Sequence, residues 1–504
     1  MENSLEIKEQ IVKNSFWGII SSLTNKIGGF ILAILLSRLL MPAGFGKYSL
    51  AITISFFFIT FSDLGINQTL IRYVSLCIDK NSRESALYVN YLFKMRFVIT
   101  VIFSLVLLLI AYPLSYYIFK DSSLFFPFVI LSIYVFFISL SSFFESLFFI
   151  KKSVKYISIK EFLSFFFKIT SIWIIGAWVI LEFRLIGIFF SFVLISIFSF
   201  LYVFNFSKCF YPTLFRKING RINKKEMFKF LLFLNIQNIS LMILTQASII
   251  FLGVFLTAEF VGYYNSSWIL VTGISSLIFS FSYILLPVFT NAGEQNFKNM
   301  LKKTFRLLFI LSMPISFGLA ILSKFFIVII YGYDYLPASI PLTILAFLIP
   351  CMIGVDLSLA AFSARSKQKN FSLLMILSVM VLFILSFIFV RIFISSPSMI
   401  LMGIALATLL SWGFCLIFSI FLLKKEFGIN VISRWIIKVL FSCFVMGGVL
   451  IFFLNFFKEI NIFNSVIIIL PSALVYFISL RIVGGIETAE FREILRLLLN
   501  PKKK

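Results

Sequence analysis

Two lysines lie deep inside apolar stretches of this chain, where an ammonium is the kind of group that takes an anion. Lys26 belongs to the stripe Ser22, Lys26, Gly29, Ala33 and Ser37, spaced by three or four residues as one helix face requires. Lys168 belongs to a second stripe, Glu161, Ser164, Lys168 and Ser171. Thr60, Asp63 and Asn67 share a third face, Glu145 stands toward the end of another apolar stretch, and Asp356 stands in a later one. A charge at the centre of a membrane helix costs about 2.5–3.5 kcal/mol on insertion scales, so such residues pair with one another or face a wet cavity. Both readings apply here. Lys26 or Lys168 could pair with Asp63 and tie helices together, or all three could line a solvated wall. Two lysines and one acid at similar depth leave a positive balance, which favours the wall and an anionic substrate. Glu161, Lys151, Lys152 and Lys155 fall near the inner interface, where anchoring is the simpler role. Arg38 and Lys47 flank an outer hairpin, where a solvated turn and a gate contact are equally open readings.

The elements that must carry these residues are membrane helices. The 504 residues are 61% hydrophobic and 13% charged, against roughly 45–50% and 25% in soluble domains. Stretches long enough to cross a bilayer, about 20 residues each, fall at 15–36, 48–72, 90–118, 124–150, 158–181, 185–206, 229–256, 261–289, 305–331, 339–364, 371–395, 399–423, 434–457 and 462–482. An all-α polytopic membrane protein of about fourteen helices is expected. With both termini cytoplasmic, the outer loops hold only Arg38, Lys47, Lys120, Arg184, Lys324, Arg391 and Lys458, while 35 of the 44 basic residues fall inside. This is the positive-inside pattern, and it accounts for the net charge of +24 as topology and contact with membrane lipids. A nucleic-acid partner is not needed.

Other chemistries are removed by what the sequence holds. It has no histidine, the commonest general base and metal ligand, so proton traffic must use carboxylates. Cys77, Cys209, Cys351, Cys415 and Cys443 form no C-x-x-C pair, and neither a metal site nor a disulfide framework is expected. The segment "LSRLLMPAGFGKYSLA" (36–51) superficially suggests a phosphate-binding loop, but Met41 stands where that loop needs glycine and Tyr48 follows Lys47. No nucleotide and no cofactor is expected. The opening 14 residues carry three acids and no apolar region before Phe16, which argues against a cleaved signal.

The basic connection 207–228 divides the first twelve helices into lobes at 1–206 and 229–424. Two further helices (425–483) and an amphipathic basic tail (484–504), an interfacial helix by composition, complete the chain. Residues 36–51 align without gaps to "LGVFLTAEFVGYYNSS" (252–267), matching Leu36 to Leu252, Leu40 to Leu256, Gly46 to Gly262 and Tyr48 to Tyr264 at an offset of 216. A weaker match sets Lys151 and Lys155 on Arg365 and Lys369 at an offset of 214. Duplicated halves, related by an axis along the membrane normal, follow from the two together.

Residues 36–51 running into "FSDLGINQTLIRYVS" (61–75) resemble the N-terminal signature of the polysaccharide biosynthesis flippases, the O-antigen branch of the multidrug/oligosaccharidyl-lipid/polysaccharide exporter superfamily. "GYYNSSWIL" followed by "LLPVFTN" resembles the matching part of the second half. The resemblance implies two six-helix lobes around a central cavity, two extra helices, and movement of a polyprenyl-pyrophosphate-linked oligosaccharide from the cytoplasmic to the outer leaflet of the cell (inner or plasma) membrane. It places the pyrophosphate on Lys26 and Lys168, with Arg38 near the outer mouth. Ala43 departs from the family, whose turn often carries an acid after the proline. With no nucleotide site, energy comes from an H+ or Na+ gradient or from the substrate's own, and Asp63, Glu145 and Asp356 are the candidate coupling acids. The protein is expected not to be an enzyme. A multidrug cation antiporter would favour twelve helices and an acidic cavity, and a polysaccharide polymerase or glycosyltransferase would need a large outer loop bearing catalytic groups.

Overall fold

A computed structural model describes residues 2–77, 82–150, 153–210, 212, 224–280, 293–365, 367–431, 433–456 and 462–485. Among them there are helices and no strands. Hydrocarbon offers the backbone no hydrogen bonds, so a spanning chain must satisfy its own N–H and C=O groups within helices. Hydroxyls follow the same logic, for Ser49, Ser55 and Ser358 each donate to the carbonyl four residues back. Large apolar side chains such as Leu109, Trp178 and Ile482 point outward, an arrangement suited to lipid rather than water.

In chain order the first helices are α1 (Glu2–Asp63), α2 (Ile66–Cys77), α3 (Ser82–Pro113), α4 (Phe125–Ile150), α5 (Val154–Trp178), α6 (Arg184–Phe210), α7 (Lys224–Phe255) and α8 (Ala258–Ser280). There follow α9 (Glu294–Ile321), α10 (Ser323–Tyr331), α11 (Ser339–Leu345), α12 (Leu348–Ala364), α13 (Gln368–Ile392), α14 (Pro397–Phe427), α15 (Trp435–Phe456) and α16 (Ile462–Ile482). Eleven helices among the described residues are long and apolar enough to cross a membrane, or twelve if the pair Tyr333–Leu345 and Leu348–Ala364, bent by 49°, is one span. Two reasons separate this figure from fourteen. Lys26–Ser75 counts once although two spans were expected there, and the expected span 261–289 runs into residues 281–292, outside the described residues. The expected interfacial tail and most of the 207–228 connection also lie outside them.

The two arms of α1 join at Met41, whose φ of 58° is not helical. Pro42 follows as the first residue of the second arm, a position where its missing N–H is no loss and its fixed φ suits the helix. The second arm ends at Asp63, where Leu64 and Gly65 both take positive φ before α2 begins. The expected break between α5 and α6 falls at 179–183, closed by a short 3₁₀ turn at Leu181–Phe183.

Contacts divide the chain into two compact units, residues 1–269 with 375–404, and residues 270–374 with 405–504. The core of the first is built from α2, α3, α4 and α6, with Leu70, Leu92, Phe143, Phe144 and Val203 buried together. That of the second sets α9 against α15 and α16 through Ile310, Val439, Met446, Ile468 and Tyr476. Tyr476 buries its hydroxyl by donating to the Ile310 carbonyl at 2.8 Å.

Candidate functional site

Within the first unit, the first arm of α1 meets α4, α5 and α6 around a cavity of about 220 Å³. Small residues make the room. A methyl group on Gly28 would come within 2.8 Å of the Phe165 ring, and Ser164, Ser196 and Ser199 line the facing helices. The ends are fastened by polar contacts. Ser158 donates to the Trp17 carbonyl at 2.9 Å on one side. Arg184 on the other donates to Gly176, Val179 and Leu39 carbonyls at 3.2–3.4 Å, satisfying acceptors that a helix end leaves open.

Lys168 stands in this cavity, ten residues before the end of α5 and therefore roughly 15 Å along it, half the thickness of a bilayer core. Its ammonium lies 5.2 Å from the Phe192 ring centroid, a cation–π contact, and no carboxylate among the described residues pairs with it. Lys160, two turns earlier, also lines the cavity, but Glu145 holds it at 2.8 Å and Ser141 donates to the same carboxylate oxygen at 2.9 Å. Glu161 lies beside Lys160 on the wall. The cavity thus has a compensated end and an uncompensated cation.

The other expected residues disperse. Lys26 is partly buried on the same arm of α1 but is not part of the cavity wall, and Arg38 is exposed near the kink. Asp356 is partly buried on α12, in the second unit. Asp63 pairs with neither lysine. Arg96 of α3, fully buried, reaches its carboxylate at 3.1 Å and spends its remaining donors on the Ser139 carbonyl and the Ser142 hydroxyl at 2.9–3.2 Å. Arg96 and Lys160 were missed in the sequence because counting charges by loop assigned both to the inner surface. A signal was present in each case. Arg96 is six residues inside its expected span, and Lys160 shares the face of Ser164 and Lys168 at a spacing of four.

At the kink of α1, the repeat seen in the sequence becomes a contact. A methyl group on Gly46 would overlap the Ala258 carbonyl oxygen, and one on Gly262 would overlap that of Pro42. Asn265 donates to Ser49 Oγ at 2.7 Å. Beside them Lys47 bridges to Asp121 at 3.1 Å and to Ser123 Oγ at 2.6 Å. Burial alone would raise the Asp121 carboxyl, but hydrogen bonds from Ser123 and Lys47 and the Lys47 charge outweigh it and hold it below the usual carboxylate range.

A polytopic helical membrane protein with a cationic cavity in one helical unit is the class that fold and site define. The sequence pattern of the polysaccharide biosynthesis protein family matches residues 11–293, and the chain belongs to that family. Among solved structures it is similar to a lipid II flippase MurJ in an inward closed conformation, with TM-score 0.72 and 18% identity, covering 96% of this chain and all of that one. It is also similar to an inward-facing multidrug resistance MATE family transporter of the MOP superfamily, with TM-score 0.64 and 13% identity over 80% of this chain and 96% of the other. A Klebsiella pneumoniae protein described as an uncharacterized membrane protein in the cps region is 33% identical over 102 residues. The match spans about a fifth of each chain. Taken with its apolar helices, the family makes this chain a multi-pass membrane protein, and its likeness to those two structures shows that it shares their fold.

Proposed function

We propose that the protein flips a polyprenyl-(pyro)phosphate-linked oligosaccharide from the cytoplasmic to the outer leaflet for surface polysaccharide assembly. One observation carries this reading: the Lys168 ammonium stands about midway along its helix, in a cavity, without a carboxylate partner among the described residues. A charged phosphate has to leave water to cross hydrocarbon, and a fixed cation at that depth offsets part of the loss. Serine hydroxyls on α5 and α6 offer further donors. The polyprenyl tail needs no protein path, because hydrocarbon already suits it.

Lys168 is the primary phosphate ligand in this reading, with Lys26 and Arg38 as cations met along the way. Glu145 keeps Lys160 neutralised until substrate competes for it, and protonation of Glu145 or Asp63 would couple movement to H+. Both termini face the cytoplasm, as the charge distribution favours. Closure at the outer end uses the glycine contact between the kink of α1 and the start of α8, whose loosening gives access to that side. The residues do binding and movement, with no catalytic step assigned.

Depletion of the protein in cells that make it, followed by extraction of lipid-linked sugars, tests the reading. Complete oligosaccharide units should accumulate on the cytoplasmic leaflet, and Lys168→Ala should fail to clear them. A normal lipid-linked pool with altered sensitivity to cationic drugs would contradict it and point to a cation antiporter instead.

A further inference from the structure

Lys160 and Lys168 lie on the same face of α5 and have partners of different kinds. Glu145 neutralises Lys160 at 2.8 Å, whereas Lys168 faces the ring of Phe192, 5.2 Å from its centroid. For an arriving anion the two partners are not equivalent. A carboxylate occupies the N–H groups it neutralises and has to be displaced. A ring steadies the cation through its negative face and leaves the three N–H groups of the ammonium open to oxygen acceptors.

The spacing of α6 places Phe192 for this contact. Phe189, Phe192, Ser196 and Ser199 recur at intervals of three and four, so they share one helix face. Phe192, Ser196 and Ser199 line the cavity, and Phe192 is buried. Tyr48, on the second arm of α1, meets the Phe192 ring edge-on, with centroids 6.3 Å apart and planes at 83°. Tyr48 is itself stacked on Phe189 at 5.6 Å and on Phe45 at 5.9 Å, and both of those rings are fully buried. Edge-to-face and offset-stacked pairs are the arrangements that ring quadrupoles favour. The brace ends at the kink contact, because the neighbouring Ser49 accepts from Asn265.

A lysine stem is long and flexible, and an ammonium that nothing holds spreads over many positions. Apparent affinity falls with the fraction of molecules whose binding group is in place. We propose that Phe192 is a positioning residue for Lys168, with Tyr48 as its brace: the ring holds the ammonium in the empty cavity without neutralising it, so the cation meets phosphate already aimed. The proposal rests on the flippase reading, in which Lys168 takes the phosphate, and adds the side chain that sets how readily it does so.

The test titrates full-length protein, in nanodiscs of neutral phosphatidylcholine, with geranyl pyrophosphate, a short prenyl pyrophosphate, against protein-free nanodiscs. Saturable binding to the wild type is expected, and Phe192→Leu should weaken it by about tenfold, within the range of a desolvated cation–π contact. Leucine also removes packed volume, so charge is separated from shape by placing mono-, di- and trifluorinated phenylalanine at position 192. Fluorine drains negative charge from the ring face at nearly constant shape, and affinity should fall stepwise along the series. The same series at Phe189, which is not part of the cavity wall, should leave affinity unchanged. Tyr48→Leu, also outside the wall, should weaken binding by about threefold, the scale of one ring pair. No saturable binding by the wild type would overturn the phosphate site and this role together. Wild-type binding that holds steady along the series at 192, falls equally along the series at 189, or tightens as the ring loses charge would overturn the role of Phe192 alone. Unchanged binding in Tyr48→Leu would overturn the brace.

Discussion

Gly46 and Gly262, 216 residues apart, lie against each other with each one's missing side chain replaced by the other's turn. The carbonyl that fills the space above Gly46 belongs to Ala258, and the one above Gly262 belongs to Pro42, itself 216 residues earlier. Ser49 and Asn265, bonded at 2.7 Å, are separated by the same 216 residues. Residue i touching j while j's equivalent touches i's is the signature of a twofold contact. Alanine at either glycine forces the backbones apart, and overpacking of this kind costs about 1–3 kcal/mol. Gly46→Ala and Gly262→Ala should each lower the melting temperature and reduce transport. Gly29→Ala, with nothing near its added methyl, should leave the melting temperature unchanged. Equal melting curves for all three would contradict the contact.

The buried pair Asp63–Arg96 should behave as a unit. Removing one partner of a buried pair costs about 3–5 kcal/mol because the other is left uncompensated, and Asp63, whose side chain is 21% exposed, puts this case at the lower end. Asp63→Asn and Arg96→Met should each destabilise strongly, whereas the double variant should recover part of the loss. A double-mutant cycle on purified protein measures the coupling. Strictly additive singles would show that the two residues do not act together.

Lys160 and Lys168 should separate stability from transport. Lys160→Ala strands Glu145 and should lower the melting temperature. Lys168→Ala removes an uncompensated cation, so its melting temperature should hold or rise while transport falls. Reversed behaviour in the two melts would move the substrate cation from Lys168 to Lys160.

The tie between Lys47 and Asp121 should depend on acid. Asp121 has its carboxyl lowered by folding, so its stabilisation is fully present above the unfolded value of about 3.9 and is lost as pH falls through the lower folded value. Melting temperatures of the wild type and Lys47→Ala, compared from about pH 7 to below 4, should differ at neutral pH and converge only at the acid end. A difference already gone at pH 6 would mean that another group controls the tie.

Much of this was legible in the residues. Span positions followed from apolar length, the break within α1 from the outer hairpin expected between Arg38 and Lys47, and the Gly46–Gly262 match from an ungapped repeat. The partner of Asp63 was not legible. Hydropathy assigns a basic residue near a span's end to the surface, and only packing of α3 against α1 and α4 shows that Arg96 is buried. Lys160 was hidden in the same way, since its compensation by Glu145 depends on how α4 and α5 meet.

The most direct test of the central claim places purified protein in vesicles carrying a radiolabelled polyprenyl-pyrophosphate oligosaccharide and adds a membrane-impermeant glycosidase. The wild type should bring the protected inner-leaflet pool within reach of the enzyme, and Lys168→Ala, equally folded, should leave it protected. Exposure at the same rate by Lys168→Ala and wild type, or by neither above protein-free vesicles, would contradict the claim that this cavity carries the phosphate across.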